Sequence, residues 1–286
     1  MSRDRKDYDS LTIQQDRSLA IEAQLAEALG ETLRGEVRAF EYVTSTMDLA
    51  HTLAQEGAPE GTLIWAKRQE QGRGRLGRIW ESPEGGIYCS VMVRPQRPAA
   101  DIPQLSLLMG LSAAEAIREC AMVSPRVHWP NDLLLDGKKV AGILSEGAGG
   151  ERRGAGENNT HVIIGVGINV TTDTAHLPDT ATSLLAAGGK PLDPFHLTAR
   201  LYRRFFRWYD VWAQQGFLPV RQALRPHMGL FGEVVRIHQQ QATSDKRQGS
   251  SVEGQALDID EVGRLLVRLD SGVVKAFEAG EMTLLR

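Results

Sequence analysis

A chain of 286 residues, 42% of them hydrophobic, has room for one large domain and a small second one. Its formal net charge of -3 and pI near 6.2 exclude a broad electrostatic footprint for DNA. Two cysteines without close spacing exclude a disulfide framework and a zinc ligand set, and neither a signal segment nor a membrane-length apolar run is indicated, so a reducing, cytoplasmic setting is expected.

The first ten or so residues mix acids and bases without an apolar pattern and are expected to be disordered. Arg17 to Leu33 reads as an amphipathic helix with Leu19, Leu25, Ala26, Leu29 and Leu33 on one side, and Glu36 to Val43 as a strand. Ser45-Thr46-Met47-Asp48 then has the form of a capping box. Ser45 caps a helix running to about Gln55, and Asp48 reaches back to its backbone. The strand Thr62 to Lys67 leads to Gln69, whose amide both donates and accepts and suits a neutral polar ligand.

From Gln69 the chain reads QEQGRGRLGRIW, setting Arg73, Arg75 and Arg78 among Gly72, Gly74 and Gly77 and closing on Trp80. Glycines let backbone N–H groups approach an anion, and guanidinium groups pair with phosphate oxygens in a bidentate fork. The segment is therefore built to hold phosphate and should be mobile without it. The spacing also satisfies G-x-G-x-x-G, but the dinucleotide motif closes a strand and opens a helix. Here turn chemistry follows, Glu81 to Gly86, and then a strand, Ile87 to Val93. A kinase glycine loop fails too, since no H-R-D or D-F-G follows. Trp80 offers a flat apolar wall, although core packing is the commoner use of tryptophan.

Ile102 to Cys120 reads as a buried packing helix. His128 to Glu146, HWPNDLLLDGKKVAGILSE, reads as two short strands joined by the turn Asp136-Gly137. Lys139 thus starts a strand among Val140, Ala141, Gly142, Ile143 and Leu144, at the mouth of an apolar site. Asn131 and Asp132 supply a polar pair on the other strand. The segment GAGGERRGAGENNT that follows is expected to be a solvent hairpin. Val162 to Val170 is a continuous apolar run with Gly165 and Gly167, consistent with a buried central strand that a ligand or backbone approaches closely. Leu197 to Trp212 is a periodic helix, with Leu201, Tyr202, Phe205, Phe206, Tyr209 and Trp212 in one stripe and Arg203, Arg204 and Arg207 on a solvated face. From Gly229, short alternating strands separated by glycine and polar turns predict a small barrel-like domain that depends on docking to the main body.

Four motifs in order, TSTMDLA (Thr44 to Ala50), QEQGRGRLGRIWESPEGGIYCS (Gln69 to Ser90), HWPNDLLLDGKKVAGILSE (His128 to Glu146) and VIIGVGINV (Val162 to Val170), resemble the biotin protein ligases. The resemblance spans about Val37 to Arg286, and four ordered motifs are far more specific than one glycine pattern. It implies an α+β fold, with an N-terminal tail and helix over 1–35, a mixed sheet packed with helices over 36–228 and an SH3-like β-barrel over 229–286. The central part is the class II synthetase-like biotin/lipoate ligase catalytic domain. The residues before Val37 are too few for the winged helix-turn-helix that some members carry, so no DNA binding is expected.

The activity implied is formation of biotinyl-5′-AMP and pyrophosphate from biotin and ATP with Mg2+, then transfer to a lysine of a biotin carboxyl carrier protein, by a monomer or a homodimer. By resemblance Ser45, Thr46, Gln69, Gly72, Arg73, Gly74, Arg75, Lys139 and Gly142 hold biotin. Arg73, Arg75, Arg78, Trp80, Asn131, Lys139 and Asn169 face the nucleotide, and Asp132 is the candidate contact for magnesium. Arg73, Arg75 and Lys139 act as fixed cations where negative charge develops. Met47 stands where many members have asparagine. Two alternatives stay open: a lipoate or octanoate ligase, whose signature lacks the paired G-R-G-R loop, and a sensor that binds biotinyl-AMP without transferring it.

Overall fold

The structure, a computed structural model, describes residues 3–148, 161–239, 250–278 and 280–285. Its main sheet comprises β1 (Val37–Val43), β2 (Leu63–Gln69), β3 (Gly86–Val93), β4 (Arg126–His128), β5 (Asp132–Leu135), β6 (Lys138–Ala148) and β7 (His161–Asn169). The spatial order is β1-β2-β3-β7-β6-β5-β4. Only β1 and β2 run parallel, joined by the crossover helix α2 (Thr46–Gln55), and every other neighbouring pair is antiparallel. The fold is the α+β class expected. β3 and β7 are buried along their whole length, which is why both lack polar alternation. The expected hairpin between Glu146 and Val162 falls largely outside the described residues.

Helices cover the two faces unequally. On one face α2 lays Met47, Ala50 and Ala54 against Ile64, Met92 and Ile163. On the other lie α1 (Arg3–Leu29), α3 (Gln104–Ala121), α4 (Pro194–Gln215) and α5 (Phe217–Met228). Because α2 is short, it leaves the β6–β7 end of its face uncovered, and the site forms there.

At the N-terminus the expectation of disorder is corrected, since α1 already begins at Arg3. Leu25 and Leu29 are buried as expected, but Leu19 is exposed. α1 shields the outer edge of β1: Glu22 accepts a hydrogen bond from the Ala39 N–H at 3.2 Å and Ser18 one from the Glu41 N–H at 3.3 Å. Those edge amides would otherwise invite another strand.

α4 starts at an Asp193 cap followed by Pro194, and its aromatic stripe is buried from Leu201 to Trp212. Arg204 departs from the solvated face expected of it and pairs with Glu115 and Glu119 of α3. α5 was not foreseen. It is short, carries Pro226 inside it, and is separated from α4 only by Gly216 at φ 79°.

A second sheet holds β8 (Val234–Gln239), β9 (Ser250–Ile259), β10 (Leu265–Arg268), β11 (Val274–Phe277) and β12 (Glu281–Leu284), in the order β11-β10-β9-β8-β12. The sequence pattern reads GVVKAFEAGEMTLLR, Gly272 to Arg286, as one strand, but it holds two, at opposite edges of the sheet. Four residue steps from Phe277 to Glu281 span at most about 14 Å. The edges of a flat five-stranded sheet would lie roughly 19 Å apart, so this sheet curls back on itself. Its core residues Val235, Ile237, Ala256, Leu265, Val267 and Phe277 join one continuous apolar cluster with the main body. Polar locks reinforce the junction. Trp129 Nε1 donates to Gly263 O at 3.1 Å, His128 Nε2 meets Met282 O at 3.0 Å, and Arg221 pairs with Asp258 at 2.9 Å. Among the described residues no helix is long and apolar enough to cross a membrane.

Candidate functional site

Loop, sheet and second domain enclose a cavity of about 290 Å³ on the α2 side of the main sheet. Its floor is glycine. A Cβ on Gly167 would lie 2.4 Å from Trp80 Nε1, one on Gly142 2.8 Å from the same indole, and one on Gly165 2.7 Å from Met47 Sδ. Trp80 therefore lies against β6 and β7, and its buried N–H has no hydrogen-bond partner.

One end of the cavity is neutral and polar. Gln69 Oε1 accepts from Thr46 N at 2.8 Å and from Thr46 Oγ1 at 3.0 Å, while its Nε2 donates to Ser82 Oγ at 2.9 Å. Ser90 Oγ donates to Thr46 Oγ1 at 2.9 Å. Gln69 is thus oriented by the start of α2 and by the turn before β3. Ser82 and Ser90 complete this network, and sequence reasoning did not single them out. Their one sign is their place in the segment running from Gln69 to Ser90. Ser45 caps α2 by accepting from Asp48 N at 3.5 Å and is buried behind the wall rather than on it.

Another part of the wall is cationic. The Gly72–Trp80 loop folds back as a hairpin: Gly74 N donates to Arg78 O and Trp80 N to Gly72 O, both at 2.8 Å, and Leu76 and Gly77 turn the chain at φ 58° and 72°. Gly72 is required by close approach, since a Cβ there would sit 2.3 Å from Trp80 O, although Gly72 does not itself line the cavity. Arg73 donates to Asp48 Oδ1 and to Glu146 Oε1, each at 2.7 Å. Of the expected capping box the half made by Ser45 forms, and Asp48 turns Oδ1 to Arg73. Arg75 donates to Asn131 Oδ1 at 2.8 Å and to Gly280 O of the second domain at 3.5 Å. Arg78 also lines the cavity, and so does Gly74.

Lys139 reaches the cavity because β6 bulges. The register with β5 shifts between Leu133, opposite Ala141, and Leu134, opposite Lys139, which leaves Val140 unpaired. Residues three apart on a regular strand face opposite ways, and the extra residue brings Lys139 to the side of Gly142. Its Nζ pairs with Asp132 Oδ1 at 2.8 Å and stands 5.2 Å from the centre of a Trp80 ring. Asn131 is fixed by its Nδ2, which donates to Ile143 O at 2.9 Å.

One expectation needs correction, and a second meets a competing contact. Asn169 does not reach the cavity: it is 1% exposed, and its Nδ2 donates to Thr182 O at 3.0 Å, behind Lys139, whose backbone O accepts from Thr182 N at 2.9 Å. Asp132, the candidate for magnesium, is engaged by Lys139. Among the described residues no group of three or more His, Cys, Asp or Glu side chains is placed to hold a metal ion. Mg2+ is commonly held by one or two carboxylates together with substrate phosphates, and Asp132 lines the cavity where such a contact would form.

Cys89 lines the cavity yet is 2% exposed, and burial pushes its thiol up to about 12. It is expected to resist iodoacetamide at pH 8 in the folded chain and to react within minutes once denatured, read by peptide mass. Equal labelling in both states would contradict this packing.

Such a site, with a polar head-group end, a glycine floor and converging cations, suits an acid that is activated on a phosphate, and the fold belongs to a class built for that. The profile of the Biotin/lipoate A/B protein ligase family matches residues 39–169, and that of the Biotin protein ligase C terminal domain matches 246–285. The chain is 36% identical over 242 residues to the bifunctional ligase/repressor BirA of Bacillus subtilis, covering 83% of this chain and 70% of that protein. It is 32% identical over 216 residues to the biotin–[acetyl-CoA-carboxylase] ligase of Paracoccus denitrificans, covering 73% and 85%. The biotin protein ligase of Aquifex aeolicus in complex with biotin and ATP superposes with a TM-score of 0.71 at 28% identity, covering 87% of this chain and 98% of that one. The chain belongs to the biotin protein ligase family.

Proposed function

We propose that this biotin ligase divides its reaction between the two ends of the cavity. Gln69 and Thr46, held by Ser82 and Ser90, receive the neutral ring of biotin, whose donor and acceptor groups match an amide and a hydroxyl. The carboxylate then lies toward Lys139, Arg73 and Arg75. One carboxylate oxygen bonds to the α-phosphorus of ATP, the bridging oxygen leaves with pyrophosphate, and biotinyl-5′-AMP remains. Lys139 and the two arginines act as fixed cations toward the charge shared between attacking and leaving oxygens. Arg78 and Trp80 flank the nucleotide, and Asn131 holds Arg75 in place. Asp132 would contact a magnesium ion that arrives with the nucleotide phosphates, and no step is assigned to it.

In the second half-reaction the ε-amine of a carrier lysine attacks the acyl carbon and AMP departs. We assign the acceptor as a biotin carboxyl carrier domain in the cytoplasm. The working division of the chain is 1–35, 36–228 and 229–286, with the last segment closing the cavity through Gly280, Met282 and Thr283. The observation that supports this reading is the convergence of Lys139, Arg73 and Arg75 on one cavity whose wall also holds the Gln69–Thr46 pair.

Arg73→Gly tests it. The unaltered chain, incubated with biotin and ATP, is expected to retain biotinyl-AMP through gel filtration, whereas the variant releases it about tenfold faster or more, the loss of one charge-assisted contact. Equal retention by both would remove Arg73 from the phosphate.

A further inference from the structure

Behind Arg73 stands a chain of titratable groups that the reaction above does not use. Glu146 divides its oxygens: Oε1 accepts from Arg73 at 2.7 Å, and Oε2 faces His51 Nε2 at 3.3 Å. His51, on α2, turns its other nitrogen to His161 at the start of β7, with Nδ1 and Nε2 3.3 Å apart. The ring centroids are 5.5 Å apart and tilted by 58°, so the rings meet through their nitrogens rather than by stacking.

We propose that His51, propped by His161, is a positioning residue that sets through Glu146 how firmly Arg73 is withheld from the adenylate phosphate, so that protonation of the His51–His161 pair strengthens retention of the adenylate. This rests on the ligase reading and on the role of Arg73 in it.

The proton arrangement follows from the contacts. With both rings neutral, His51 must donate from Nε2, since a bare nitrogen facing a carboxylate oxygen would set lone pair against lone pair. Its Nδ1 is then the acceptor, and His161 donates from Nε2. A further proton belongs on His51. Burial first, then His51 and Arg94, hold the His161 imidazole below its usual range, and two facing imidazoles do not both charge. In that state His51 donates from both nitrogens and His161 changes tautomer to accept.

The charge balance then gives the direction. Around neutral His51, Arg73 sits between two carboxylates, Asp48 and Glu146, with a net charge of -1. Protonating His51 brings the cluster to zero, commits Glu146 to a second cation and repels the guanidinium. Arg73 leaves its clamp more readily, and an incoming phosphate meets less negative charge. Among the described residues, the charged groups facing this pair are Glu146 from β6, Arg73 and Asp48 beyond it, and Arg94 after β3.

The test is dissociation of biotinyl-AMP from the full chain without acceptor, at pH 8 and pH 6, because the single phosphate charge of the adenylate does not titrate in that window. The unaltered chain is expected to release it roughly two- to five-fold more slowly at pH 6, the effect of one partly exposed ion pair. His51→Gln keeps an N–H for Glu146 but cannot titrate, and should release at the unaltered pH 8 rate throughout. His128 also borders the cavity, so a His51→Gln protein that still slows at pH 6 would overturn the proposal, as would an unaltered chain with no pH response. As a second variant, Glu146→Gln leaves Arg73 to Asp48 alone and should hold the adenylate more tightly at pH 8; looser binding would overturn the clamp. No adenylate binding by the unaltered chain at either pH would defeat the ligase reading and this inference together, whereas binding without pH response defeats only the inference.

Discussion

Lys139→Ala is expected to slow formation of biotinyl-AMP by about 10²- to 10³-fold, the usual cost of removing one preorganised charge stabiliser. Lys139 is the cation of the site whose position depends on a strand irregularity. The bulge at Val140 aims it over Gly142, and Asp132 holds it there at 2.8 Å. Removing the side chain leaves the buried Asp132 Oδ1 without its ammonium, but it also opens that oxygen to the cavity, where water can replace the partner. Stability should therefore change by no more than about 1 kcal/mol. Single-turnover pyrophosphate release, with a thermal melt beside it, separates the two effects. A rate within about fivefold of the unaltered chain would place the charge stabilisation elsewhere.

The second large effect concerns the floor. Gly167→Ala adds a single methyl group, yet that carbon would lie 2.4 Å from Trp80 Nε1 and 2.5 Å from Cε2, so the indole has to leave β7. Overpacking of this kind costs about 1–3 kcal/mol where a side chain cannot move. Trp80 is only half-buried and can swing into the cavity, so the penalty should fall on binding. Biotin affinity is expected to drop about tenfold or more by calorimetry, since about 1.4 kcal/mol is a factor of ten. Gly147→Ala, on the neighbouring strand with nothing within 4 Å of the added carbon, is the matched control and should bind as the unaltered chain does. Equal affinities in the two variants would mean that Trp80 is not part of the biotin wall.

Much of the architecture could be read from the sequence because its signals are local. The Asp136-Gly137 turn has φ values of 49° and 80°, as a two-residue hairpin requires, and the stripe from Leu201 to Trp212 is buried. The two glycines of β7 were legible as places of close approach, although not as the seats of Met47 and Trp80. What escaped depends on partners distant in the chain. Nothing near Asn169 shows that Thr182 takes its amide, nor near Asp48 that Arg73 takes its carboxylate. The bulge that turns Lys139 is a property of pairing between β5 and β6, and no residue in KKVAG announces it. α1 was legible only where its apolar residues meet the core. Its earlier turns carry no such stripe, and the edge contacts of Ser18 and Glu22 are polar.

The central claim is that this cavity activates biotin on ATP. The direct measurement is biotin-dependent exchange of labelled pyrophosphate into ATP by the purified chain with magnesium present, with lipoate and octanoate in parallel. Exchange with biotin and not with the other two acids is predicted, since the Gln69–Thr46 end is built for a polar ring. Exchange with lipoate or octanoate in preference to biotin would contradict that assignment, and folded protein with no exchange for any acid would contradict adenylation at this site.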